Sequence, residues 1–142
     1  MPATDADHAA LTPRLNVLVV DDDARIRRGL REMIEASDDV RVVGEAASGT
    51  LALELDRRLR PDVAVVDVLL PQAADGLRVL AELASRGRPI VAISVCESLG
   101  SDAIAAGADR FIAKGSSLIE GLLPAIRAVV PRACRPAERP GS

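Results

Sequence analysis

Aromatic residues are nearly missing from this chain of 142 residues, which has no Trp, no Tyr and one Phe, Phe111. That absence removes the stacking platforms on which single-strand nucleic-acid binders rely, and it leaves Ala, Val, Leu and Ile to build the core. Histidine occurs once, as His8 in a polar, Ala-rich leader, so a His-based metal site or catalytic triad has no partners. Cys96 and Cys134 are too few for a disulfide framework or a zinc site; Cys134 is read as inert. No apolar run approaches the roughly 20 residues that span a bilayer, and the leader lacks the basic-then-apolar order of a signal peptide. Lysine occurs once against seventeen arginines, and the net charge is −3. A surface that holds nucleic acid by bulk positive charge is excluded. The expectation is a cytoplasmic protein with no membrane and no nucleic-acid contact.

What is present is a repeated alternation. Residues 1–14 read as a disordered leader, 15–130 as one domain, and 131–142, with three prolines and three arginines, as a flexible tail or the start of a linker. Apolar, β-branched runs at 15–20, 40–45, 63–66, 90–93 and 111–113 predict strands. Their continuous rather than alternating character predicts burial on both faces, as in a parallel sheet. Between them lie helical stripes. Ile26, Leu30, Met33 and Ile34 follow Asp23, a candidate N-cap. Leu51, Leu55 and Leu59 mark the second helix, with Arg57, Arg58 and Arg60 on a solvated face. Leu77, Val79, Leu80 and Leu83 mark the third. An Ala-rich stretch over 101–106, closed by Gly107, is the fourth. The fifth is expected to open on the capping-box pattern Ser117-Leu118-Ile119-Glu120 and to continue through Leu122, Leu123, Ile126, Val129 and Val130, with Pro124 as a bend or restart. Five strands alternating with five helices predict a doubly wound, five-stranded parallel α/β sheet. Ligands of such sheets bind beyond the carboxyl ends of the strands, near a topological switch point.

Those ends carry the chemistry. Strand one ends in Asp21 and Asp22, strand three in Asp67, strand four in Ser94 and strand five in Lys114. Three carboxylates on one rim repel one another, and a hard divalent cation with oxygen ligands, Mg²⁺, resolves the repulsion. Carboxylate, cation, hydroxyl and ammonium together form a phosphoryl-acceptor arrangement: Asp67 attacks phosphorus, Lys114 neutralises oxygen charge and Ser94 donates a hydrogen bond. The only lysine and the only aromatic, Lys114 and Phe111, both fall on or beside the fifth strand. Each residue also has a plainer reading. The acidic triplet suits a helix N-terminus, Asp23 a cap, Asp67 a loop, Ser94 a strand-end hydroxyl, Phe111 half-buried core, and Cys96 a partly exposed thiol rather than a modulator of dephosphorylation.

The chain resembles the receiver domains of bacterial response regulators, from about residue 16 to 130. The resemblance rests on Val19-Val20-Asp21-Asp22, on Val65-Val66-Asp67 followed by Leu70-Pro71 and Asp75-Gly76, on Ile93-Ser94, and on the segment from Ala106-Gly107-Ala108-Asp109 through Phe111 to Lys114. The runs Val42-Val43-Gly44-Glu45-Ala46 and Ala125-Ile126-Arg127-Ala128-Val129 are most similar to receivers that usually precede a helix-turn-helix. The resemblance implies a flavodoxin-like (βα)5 fold. It implies Asp67 as phosphoacceptor, Asp21, Asp22 and Asp67 with the Leu69 carbonyl as Mg²⁺ ligands, Ser94 as switch hydroxyl and Phe111 as switch aromatic. It implies a sensor histidine kinase or phosphotransfer protein as donor, and an output partner or homodimer on the face of helix four, strand five and helix five.

Several departures stand out. The stretch from Asp67 to Gly76 is one residue longer than usual, an insertion at Gln72-Ala73-Ala74. Val95 replaces a small residue and would narrow the approach to the phosphoryl group. Helices three and four are expected to be trimmed. Gly115 follows Lys114 where many relatives have proline, so no cis X–Pro bond is predicted there. A pseudo-receiver used as a phosphorylation-independent interaction or dimerisation module is the main alternative. A phosphatase of the haloacid-dehalogenase type, with Asp21 as nucleophile and Asp23 as acid, lacks the expected Thr or Val after the acids. A flavodoxin-like cofactor binder lacks its phosphate loop and ring stackers.

Overall fold

A computed structural model describes residues 14–130; the leader, His8, the tail and Cys134 lie outside the described residues. Strands β1 (Leu15–Val20), β2 (Val40–Ala46), β3 (Val63–Asp67), β4 (Ile90–Ser94) and β5 (Arg110–Ala113) form one sheet, all neighbours parallel, in the order β2-β1-β3-β4-β5. Helices α1 (Ala24–Glu35), α2 (Gly49–Leu59), α3 (Ala73–Ser85), α4 (Gly100–Ala106) and α5 (Ser116–Val129) connect and cover it. The continuous apolar runs behave as a two-faced burial requires: every residue of β3 and β4 is buried, whereas the edge strands β2 and β5 keep accessible positions.

Alternate residues along the strands feed two cores. Val17, Val19, Val65 and Ile93 face α1 and α5, meeting Leu30, Ile34, Leu118, Leu122 and Ile126. Leu18, Val20, Val66 and Ala92 face α2, α3 and α4, meeting Ala52, Val79, Leu80, Leu83 and Ala103. The chain leaves β1 toward β2 on one side and returns to β3 on the other, so the switch point lies between β1 and β3. The pairing of β1 with β2 contains a bulge: Val17 pairs with Val42 but Leu18 pairs with Gly44, and Val43 is skipped. A Cβ at Gly44 would stand 2.7 Å from the Leu59 Cδ1, the tip of a partly exposed side chain.

Three expectations need correction. The leucine stripe of α2 is rotated by one residue: Leu51 and Leu59 are exposed, and Ala52 and Asp56 are the buried residues. Asp56 is buried because two arginines reach it, Arg86 at 3.2 Å and Arg88 at 2.5 Å. Helix α5 starts one residue before the anticipated capping box, with Gly115 as N-cap; Ser117 lies in the first turn and donates to the Ala113 carbonyl at 3.3 Å. Pro124 sits inside α5, which continues unbroken to Val129. Helix α3 has 13 residues, with Gln72 as its N-cap and Ala73 and Ala74 as its first residues. Helix α4 has seven residues and is preceded by a 3₁₀ turn at Glu97–Leu99. Gly115 carries a positive φ, and the cis X–Pro bond among the described residues is Leu70–Pro71.

Candidate functional site

The site is assembled by strand ends. Asp67 closes β3, Ser94 closes β4, Asp21 and Asp22 follow β1, and Lys114 follows β5. Pairing of β4 with β5 carries on for one further hydrogen bond, from the Lys114 amide to the Ser94 carbonyl at 2.8 Å, which fixes the start of the lysine side chain. Its ammonium then reaches across the sheet to the Oδ2 of Asp21 at 2.9 Å and of Asp67 at 3.2 Å. The other oxygens of both acids accept backbone amides: Asp21 Oδ1 from Asp23 at 2.9 Å, Asp67 Oδ1 from Leu69 at 3.1 Å. Asp23 caps α1, accepting from the Arg25 amide.

Burial sets the electrostatics. Asp21 and Asp67 are 1% and 5% exposed, and Asp22 is open to solvent. Burial pushes the Asp67 carboxyl above its ordinary range; the Lys114 charge opposes this and the Asp21 charge adds to it. Burial disfavours the charge on Lys114, but its hydrogen bond to Asp21 and the charges of Asp67 and Asp21 outweigh it, and the ammonium is held more firmly than usual. One ligand atom from each of Asp21, Asp22 and Asp67 lies within 4.8 Å of the others. Three carboxylates against one ammonium leave two negative charges uncompensated, and the donors are all oxygen, which fits a hard divalent cation.

Ser94 is fully buried, and its hydroxyl oxygen accepts the Cys96 amide at 3.0 Å. Val95 is 68% exposed. Cys96 is partly exposed, with its Sγ 3.0 Å from the Ser98 hydroxyl. Phe111 is half-buried against the α2–α3–α4 core, and a Cβ at Gly100 would lie 3.0 Å from its ring. The steric role of Gly76 and the part played by Arg27 were not foreseen. Gly76 lets the start of α3 approach the loop after β3, since a Cβ there would fall 1.6 Å from the Val68 carbonyl oxygen. Arg27 donates to the Asp21 carbonyl at 2.7 Å and to Glu45 at 3.2 Å. The available signal was an arginine pair at Arg27 and Arg31, one turn apart, facing a lone carboxylate in β2.

A doubly wound parallel domain with buried carboxylates at its switch point and a lysine bridging them defines a class of α/β proteins that keep their chemistry on the strand-end rim. Within that class the chain belongs to the response regulator receiver domain family, whose pattern residues 17–126 match. It is therefore a receiver domain of two-component signalling. Among similar proteins, a protein-glutamate methylesterase/protein-glutamine glutaminase of Syntrophomonas wolfei is 40% identical over 112 residues, 75% of this chain and 32% of that protein. The transcriptional regulatory protein PdtaR of Mycobacterium tuberculosis is 40% identical over 134 residues, 92% of this chain and 62% of that protein. The chain thus spans 32% and 62% of the length of these relatives. The response regulator domain of Thermotoga maritima CheB superposes with a TM-score of 0.74 at 29% identity, covering 82% of this chain and 96% of that one. A LuxR-family two-component response regulator from an Aurantimonas species gives 0.76 at 28%, covering 82% and 85%. No helix among the described residues is long and apolar enough to cross a membrane.

Proposed function

We propose that the unit over residues 15–130 is a phosphoacceptor: it takes a phosphoryl group onto Asp67 from a sensor histidine kinase or phosphotransfer protein in the cytoplasm and passes the change to an output face. The observation that carries this reading is the Lys114 ammonium bridging buried Asp21 and Asp67 beside solvent-open Asp22. In the transfer, an Asp67 carboxylate oxygen bonds to phosphorus as the phosphorus–nitrogen bond of the donor breaks, and the leaving imidazole takes up a proton. Lys114 stays ionised to meet the negative charge on the phosphoryl oxygens. Asp21, Asp22, Asp67 and the backbone carbonyl of Leu69 would hold Mg²⁺, which when bound would supply further neutralisation of negative charge.

Ser94 and Phe111 carry the change outward. The Ser94 hydroxyl, whose oxygen accepts the Cys96 amide in the resting protein, turns to donate its proton to a phosphoryl oxygen, and the half-buried ring beside Gly100 shifts with it. That movement reaches the α4–β5–α5 face, where Ile104 and Ile119 are 49% and 71% exposed, and alters it for a protein partner or a second copy. The domain promotes only its own phosphorylation and dephosphorylation. Incubation with labelled acetyl phosphate and Mg²⁺ tests the reading: wild type takes up label and Asp67→Asn does not. Equal uptake by Asp67→Asn would overturn it. No uptake from either a small donor or a histidine kinase would favour the pseudo-receiver.

A further inference from the structure

The bulge in β2 has an electrostatic consequence at the rim. Had pairing run on evenly past Val17 and Val42, Glu45 would share the face of Val20, toward α2, α3 and α4. With Val43 skipped, Glu45 pairs with Val19 and lies on the α1 side instead. A bulge that re-aims one side chain beside a functional site is a recurrent device. Here the re-aimed carboxylate meets two guanidinium groups of α1, Arg27 at 3.2 Å and Arg31 at 2.7 Å. Arg31 is also held by Glu35 at 3.5 Å, and Glu35 accepts the Val42 amide at 3.0 Å. The ladder therefore starts next to the bulge and runs along the groove between β2 and α1.

Its other end is the functional rim. Arg27, with a side chain only 18% exposed, points its Nη1 at the carbonyl oxygen of Asp21, 2.7 Å away, while its Nε stays on Glu45. A charge-assisted bond of this length fixes the peptide that joins Asp21 to Asp22. We infer that Arg27 is a positioning residue for the acidic pair: anchored by Glu45, it holds the Asp21–Asp22 backbone so that both carboxylates converge with Asp67 on one cation. The inference rests on the reading of Asp21 and Asp22 as cation ligands. Arg31 is the internal control. It makes an ion pair with the same glutamate and no hydrogen bond to Asp21.

The test compares Arg27→Met, Arg27→Lys and Arg31→Met in the full chain. In metal-free protein, hydrogen exchange of the Asp23 amide, which donates to Asp21 Oδ1, is expected to speed up about tenfold in Arg27→Met relative to Arg31→Met, a change of about 1.4 kcal/mol in local opening. Mg²⁺ titration is expected to show about tenfold weaker binding for Arg27→Met, a smaller loss for Arg27→Lys, which keeps one donor, and wild-type affinity for Arg31→Met. Thermal midpoints of Arg27→Met and Arg31→Met should fall by similar amounts. Exchange and affinity unchanged in Arg27→Met, or lost equally in Arg31→Met, would overturn the positioning role. A wild-type chain that binds no Mg²⁺ would overturn the cation reading instead, and the exchange comparison would still decide whether Arg27 holds the loop.

Discussion

At the scale of single residues, Lys114 has two tasks that a substitution separates. It neutralises Asp21 and Asp67 in the resting protein, and it is placed to meet phosphoryl oxygens during transfer. Lys114→Ala removes a positive charge from the rim, so Mg²⁺ affinity should hold or tighten by about threefold, while phosphorylation slows about 100-fold. Calorimetric titration and the rate of phosphorylation from acetyl phosphate read the two effects; loss of both in parallel would mean that the lysine only props up the fold. Asp56 provides the structural contrast. Its carboxylate is 2% exposed and shared by Arg86 and Arg88, and Arg88 also donates to the Pro61 carbonyl. Asp56→Ala leaves Arg88 without its anion and Arg86 with Glu82 alone, and is expected to cost about 3 kcal/mol in urea unfolding, with no change in Mg²⁺ affinity.

At the scale of elements, the strands were legible because burial on both faces leaves a local mark, an unbroken apolar run, and because each of the three central rim acids or hydroxyls terminates such a run. The helix faces were less legible. On α2 the leucines at i, i+4 and i+8 suggested the buried stripe, but the neighbouring stripe of Ala52 and Asp56 is inside, because Arg86 and Arg88, some 30 residues away in sequence, satisfy the acid. No local pattern encodes that. The capping box failed for a related reason: Gly115, with φ of 140°, turns the chain one residue earlier. Gly76 was visible as a residue but not as a requirement. A methyl group there collides with the Val68 carbonyl, so Gly76→Ala is expected to lose about 2–3 kcal/mol by shifting the start of α3, measurable as a lower thermal midpoint. Wild-type stability in that variant would mean that α3 moves freely against the loop after β3. The rim residues themselves, Asp21, Asp22, Asp67, Ser94 and Lys114, were all legible, since a parallel sheet brings its strand ends to one edge whatever the details of its helices. Arg27 and Glu45 were not, because their meeting depends on a bulge that the apolar pattern of β2 does not announce.

At the scale of the whole molecule, the last helix is tied to the far side of the sheet. Arg127 of α5 reaches Asp39, just before β2, at 2.9 Å, and donates to the Ser37 hydroxyl at 2.8 Å. The hydrogen bond from Arg127, opposed by burial and helped by Ser37, lowers the Asp39 carboxyl from 3.8 to about 2. A carboxyl lowered on folding contributes stability that is fully present above its unfolded value near 4 and is lost as pH falls toward 2. Both side chains are partly exposed, 41% and 50%, so solvent screening limits the gain to less than about 1 kcal/mol. Asp39→Asn should lower the thermal midpoint slightly at pH 7 and leave it nearly unchanged below pH 2, where wild type has lost the same contribution. An equal deficit at both pH values would show that the aspartate acts through shape rather than charge.

The most direct test of the central claim is to locate the phosphoryl group chemically. Sodium borohydride reduces an aspartyl phosphate to homoserine, so peptide mass mapping after treatment with acetyl phosphate shows which carboxylate carried the group. Transfer to Asp67 predicts homoserine at position 67 alone, formed with Mg²⁺, absent without it, and absent in Asp67→Asn. Homoserine at position 21, or none from a chain that demonstrably binds Mg²⁺ and meets its kinase, would contradict it.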